Sequence, residues 1–165
     1  MVAQMENYRW EDLYSYWQSK HAHGRAPARR DIDPPTEIPQ LVANLMLIDI
    51  APDGYQYRLV GSTLRERLGA ELTGKPVGSS GQSQSIRDQW VRVLDLVRGD
   101  SKPRMLVAPR PTGATLTNMM LVLPLIDDEG KVEQLLTGAF FSDQYFTPGA
   151  QYDEVAIREV GDGLP

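Results

Sequence analysis

Apolar and polar positions follow two rhythms along this chain. Residues 45–50 are an almost continuous apolar run, Pro52-Asp53-Gly54 follows, and residues 55–60 then alternate. This reads as a β-hairpin. Proline presets φ, aspartate bonds its own backbone, and glycine takes positive φ without a steric cost. The alternation puts Tyr55, Tyr57 and Leu59 on one face, and Gln56, Arg58 and Val60 on the other. A hairpin cannot hide its apolar face alone, so later segments must cover it.

The second rhythm is helical. Trp10, Leu13, Tyr14 and Trp17 recur at i, i+3, i+4, i+7, with Asn7 as a cap and Gly24 as a stop. Their aromatic face suits packing on the domain's own sheet and suits a dimer or partner surface equally well. Residues 24–35 form a connector whose X-Pro steps force extended backbone. Thr36 caps a short helix through Ile38, Leu41 and Val42, with Pro39 near its start. Thr63 and Glu66 make a capping box for a second short helix that Gly69 stops. Residues 70–81 are polar and glycine-rich, anchored by Leu72 and Val77 and expected to be mobile at 78–81. No Gly-Lys-Ser/Thr follows them, so no phosphate loop is present. Residues 85–98 give the clearest helix, with Ile86, Trp90, Val93, Leu94 and Val97 in one stripe and Gly99 as its stop.

Three more strands follow, at 103–111, 115–126 and 134–141, with turns at Thr112-Gly113 and at 127–130. The middle one is apolar at nearly every position, which implies burial on both faces or a helix lying on the outer one. Pro124 cannot donate to a ladder, so a bulge or one-sided pairing is expected there. The order predicts an α+β fold with an antiparallel sheet and helices packed on one face. The organisation expected is an N-terminal helix and connector (1–35), a core domain (36–147) and a loose tail (148–165).

Composition narrows the functions. The chain has 165 residues and a net charge of −5, which disfavours nucleic-acid binding. Arg25, Arg29 and Arg30 lie near Asp31 and Asp33 and are read as local ion pairs. There is no cysteine, which excludes disulfides, thiol catalysis and cysteine-held metals. The first ten residues are polar and no apolar run reaches membrane-helix length, so no membrane insertion and a cytoplasmic location are expected.

The order of elements resembles the PAS domain, and more closely the bacterial single-domain PAS_5 family. The resemblance rests on Tyr16-Trp17, on Pro27-Ala28-Arg29-Arg30-Asp31-Ile32-Asp33-Pro34, on Tyr57-Arg58-Leu59-Val60-Gly61-Ser62, on Leu72-Thr73-Gly74-Lys75 and on Leu123-Pro124-Leu125, over residues 10–143. It implies a five-stranded antiparallel sheet of order 2-1-5-4-3 with an extra N-terminal helix. It also implies a sensing and association module, dimerisation through a helix before the first strand, and a cavity between sheet and long helix.

Tyr57, Leu59, Trp90, Leu94, Met105, Leu121 and Leu123 are the candidate cavity lining. They read as a filled core, or as the wall around a small apolar ligand. No cofactor is expected: a flavin adduct or a thioester chromophore would need cysteine, and the long helix has no histidine for haem. No metal site is expected either, because His21 and His23 do not share a helical face. Trp10, Leu13, Tyr14 and Trp17 are the candidate partner or homodimer surface. Arg58 is expected to pair with Asp49, or with Asp31 or Asp33, pinning the connector to the sheet. Asp31-x-Asp33 could bind Mg²⁺, but the neighbouring arginines compete for it and Asp33-Pro34 reads as turn chemistry; Asp127-Asp128-Glu129-Gly130 lacks the twelve-residue spacing of a calcium loop, and no nucleophile motif is present. The expectation is a module that is not an enzyme and signals through its surface to a partner protein or its own copy. The alternatives are a metabolite sensor whose ligand repositions the first helix and, behind it, a small enzyme on this fold.

Overall fold

The computed structural model describes residues 10–68, 70–78, 84–109, 117–141 and 156–160. Strands β1 (Leu45–Ala51) and β2 (Gly54–Val60) form the expected hairpin. Strands β3 (Arg104–Pro109), β4 (Thr117–Ile126) and β5 (Val132–Phe141) complete the expected antiparallel order 2-1-5-4-3. A sixth strand, β6 (Ala156–Glu159), lies outside β3, with Leu106 opposite Ile157. These residues fall in the tail expected to be loose. The pairing is tertiary: a free β3 edge captures a short segment that has little apolar pattern of its own.

Four α-helices are described: α1 (Trp10–Ser19), α2 (Pro34–Glu37), α3 (Ser62–Leu68) and α4 (Gln84–Asp100). A 3-10 stretch, Pro39–Asn44, feeds β1. Helix α4 runs through Gly99 and ends where Ser101 takes φ +58°. Helix α3 starts two residues earlier than expected: the Gly61 carbonyl accepts from the Leu64 and Arg65 amides, both at 3.1 Å. Thr63 therefore sits inside the helix. Gly61 is required because a Cβ there would run into the Ala43 carbonyl of the 3-10 stretch.

Helices cover both faces of the sheet. Helix α4, α3 and Leu72 pack on one face, over Met46, Tyr57, Val122 and Leu135. Helix α1, connector residue Ile32, and Ile38 and Leu41 at the 3-10 stretch pack on the other, over Leu47, Leu121, Leu123 and Leu136. The extra N-terminal helix is thus a structural cover opposite the main helix, continuous with the domain it precedes. At Gly138 the Leu13 side chain comes so close that a Cβ would lie 2.5 Å from Leu13 Cδ2.

Pro124 pairs with Leu135 of β5, while β3 reaches only as far as Val122. One-sided pairing, one of the two expected outcomes, accommodates the missing N–H. The Pro124 carbonyl accepts the Trp17 indole N–H at 2.9 Å.

The β2 alternation breaks. Leu47 pairs with Leu59 and Ile48 with Tyr57, leaving Arg58 as the extra residue of a bulge. Val60 therefore joins Tyr55 and Tyr57 in the α4-side core, and Leu59 turns to the α1 side, 55% exposed.

Candidate functional site

On the α4 side, β2 supplies Tyr57 and α4 supplies Trp90 and Leu94, all buried. The backbone of Tyr57 is clamped on its outer edge: its N–H donates to the Lys75 carbonyl at 3.0 Å, and its carbonyl accepts from Gly74 at 2.6 Å. Leu72 is buried and Val77 half-buried behind this clamp, as the sequence indicated. The Trp90 indole N–H donates to the Tyr57 hydroxyl at 3.4 Å, a long bond. Burial pushes the Tyr57 hydroxyl pKa up, against a smaller lowering from Trp90. The layer is otherwise apolar, closed by Met46, Val93 and Val97, which the sequence reading had not assigned to it.

The seven candidate lining residues do not converge. Tyr57, Trp90 and Leu94 meet under α4, whereas Met105, Leu121 and Leu123 lie on the opposite face under α1, and Leu59 is largely exposed. Residues 105–108 of β3 and 119–126 of β4 are unbroken apolar runs, so hydropathy carries no parity there, and the bulge at Arg58 inverts the parity of β2.

The candidate partner surface divides as well. Leu13 and Trp17 are buried anchors of α1, while Trp10 and Tyr14 stay half-buried at the rim. Trp10 and Tyr14 ring centroids are 6.2 Å apart, and Tyr14 stacks on Trp17 at 5.9 Å. His21 meets the edge of Trp17 at 4.2 Å and closes the end of this ladder.

A polar clasp ties α1 to the connector. The Tyr16 hydroxyl donates to Glu37 Oε1 at 2.8 Å and accepts from the Asp33 amide at 2.9 Å. Lys20 forms an ion pair with the same Glu37 carboxylate. Burial, then the Glu37 hydrogen bond, pushes the Tyr16 pKa up to about 12. Lys20 first, and then Tyr16, hold Glu37 below the usual carboxylate range.

Arg58 faces Asp49 at 3.9 Å on the exposed sheet edge, and Gln134 donates to the same carboxylate at 2.6 Å. Asp31 instead accepts from the Ala28 amide at 2.9 Å, so neither it nor Asp33 meets Arg58. The connector arginines likewise do not pair with these aspartates: Arg30 reaches Asp128 in the β4–β5 turn at 2.7 Å. The pinning role expected of Arg58 belongs to the clasp and to the Pro27 carbonyl, which accepts from the Ile126 amide at 3.0 Å.

Beside the connector lies a cleft of about 220 Å³. Leu45, Leu47, Leu59 and Leu136 line its sheet side, Ile32 and Pro34 its connector side, and Arg29 also borders it. Sequence periodicity could not reveal it, because the connector is irregular and Leu59 was assigned to the wrong face.

The PAS domain profile, PAS_5, matches residues 5–140. The chain belongs to this family. Three solved structures are similar in fold. One is a light-oxygen-voltage domain studied with a flavin analogue, with 16% identity over 65% of this chain and 82% of that one, TM-score 0.44. Another is a sensory box sensor histidine kinase from Vibrio cholerae, with 12% identity over 82% and 98%, TM-score 0.47. The third is the blue-light photoreceptor Aureochrome1 LOV in its light state, with 14% identity over 64% and 85%, TM-score 0.42. No curated protein matches the chain significantly. Among the described residues of this PAS domain, no helix is long and apolar enough to cross a membrane.

Proposed function

We propose that this PAS domain is a sensory module that signals through contacts made by α1 and the connector, with a second copy of itself or a signalling protein. The supporting observation is the division of α1. Leu13 and Trp17 seat the helix on the sheet, while the outer aromatics Trp10 and Tyr14 keep part of their surface available. Aromatic side chains at a rim are suited to anchoring a partner.

Deleting α1 would uncover the leucines of β1 and β4, so point substitution at the rim is the cleaner test. Trp10→Ala with Tyr14→Ala should weaken self-association in light scattering over a concentration series, with the circular dichroism spectrum unchanged. Unaltered association, together with unaltered capture of a signalling protein, rejects α1 as the contact.

A second reading is a metabolite sensor with its ligand between β2 and α4. One observation favours it: among the described residues, the side-chain polar atoms of Trp90 and Tyr57 meet only each other, through one long bond that a ligand could replace. Native mass spectrometry and an absorption spectrum of the purified protein test for a retained molecule.

A further inference from the structure

We infer that the cleft between the connector and the β1–β2 hairpin is a binding site for a small apolar molecule bearing a carboxylate. Its leucine and isoleucine walls belong to the α1 side of the sheet; it also touches Met46 and Val60 of the α4-side core, but neither Tyr57 nor Trp90 lines it.

Three features of the cleft define its ligand. The walls are aliphatic: Leu45, Leu47 and Leu59 face Ile32, Pro34 and Val42. The volume, about 220 Å³, exceeds the roughly 150 Å³ cavity that takes up benzene and is smaller than a drug-sized pocket. It suits a short acyl chain or a single ring. The third feature is Arg29, the one charged side chain among the lining residues. Its Nη1 donates to the Ile32 carbonyl at 3.2 Å, which fixes the guanidinium against the connector. Among the described residues Arg29 has no ion-pair partner, unlike its neighbour Arg30. A guanidinium carries five N–H donors in a planar fork suited to a carboxylate. A half-buried cation at the border of an apolar cleft, with donors to spare, complements an anion whose tail is apolar.

Leu59 is the element that opens the site. Without the Arg58 bulge it would point into the α4-side core; with it, a large aliphatic side chain stands 55% exposed beside the cleft. A ligand tail lying against Leu59 removes that apolar surface from water.

The test uses octanoate against octanol, which has the same chain and no charge. Titration of the whole protein, followed by amide and methyl NMR shifts, should move Leu45, Leu47, Leu59 and Ile32 with octanoate. Octanol should bind the same residues at least tenfold more weakly. Arg29→Met should weaken octanoate at least tenfold and leave octanol unchanged. Val42→Phe, at a half-buried position, should fill the cleft and weaken both, and its amide spectrum reports whether it remains folded. Equal binding of octanoate and octanol, indifference of octanoate to Arg29→Met, shifts confined to Tyr57 and Trp90, or no shift at all would each overturn the inference. A cleft covered instead by a second copy of the chain would appear as concentration-dependent shifts without octanoate and no further movement on its addition, which also overturns it.

Discussion

Leu13 occupies the space above Gly138 that any larger residue would need: a Cβ on Gly138 would lie 2.5 Å from Leu13 Cδ2. Helix α1 is seated on β5 through the absence of a side chain. Gly138→Ala should destabilise the protein by about 1–3 kcal/mol, the usual cost of overpacking. Chemical denaturation measures it. Combining Gly138→Ala with Leu13→Ala should cost less than the sum of the single changes, because shortening Leu13 makes room. Strict additivity would show that the two side chains do not compete.

The bulge at Arg58 makes a pair of opposite predictions at adjacent residues. Leu59→Ser should change stability by no more than about 0.5 kcal/mol, as for other exposed positions. Val60→Ala should cost about 2 kcal/mol, because Val60 is buried with Tyr57 and Leu64 in the α4-side core. Simple alternation predicts the reverse order, so urea denaturation of the two variants decides the register.

Trp17 crosses from α1 to the Pro124 carbonyl with its indole N–H. Trp17→Phe leaves that buried acceptor without its partner and should cost about 1–3 kcal/mol. Hydrogen exchange should show faster opening of α1 with little change in α4. Equal loss of protection in both helices would mean that α1 does not open separately.

Arg104 is buried between the end of α4 and β6, with Asp100 at 2.5 Å and Glu159 at 3.6 Å. Arg104 is the main cause holding the Asp100 carboxyl below the usual carboxylate range. A depressed folded pKa contributes stability above the unfolded value, about 4, and loses it as pH falls through the lower folded value. Thermal stability should therefore fall more steeply between pH about 5 and 2 in the native protein than in Asp100→Asn. Parallel curves would remove Asp100 from the acid response.

Elements whose faces differ in polarity were legible in the sequence; elements whose faces are alike were not. The hairpin, α4 and the β4–β5 turn announced themselves through periodicity and turn residues such as Asp127, whose carboxylate caps the Glu129 and Lys131 amides, both at 2.9 Å. The distribution of Met105, Leu121 and Leu123 was hidden, because a strand buried on both sides offers no polar face to orient it. The Arg58 bulge was hidden because one inserted residue leaves composition unchanged while reversing every side chain beyond it. Strand β6 was hidden because its four residues, Ala-Ile-Arg-Glu, gain their structure from the edge of β3. The seven candidate lining residues divide between the two faces on these same grounds, and Tyr57, Trp90 and Leu94 are the ones that share a face. The expectations at Asn7, at Gly69, at 79–81 and at Thr112-Gly113 fall outside the described residues.

Leu121 and Val122 are chain neighbours, yet one leans toward α1 and the other toward α4. The two compartments share a wall one residue thick. Fluorine or methyl labels at this dipeptide would listen to both rooms at once, and a guest lodged in either would be heard through the partition.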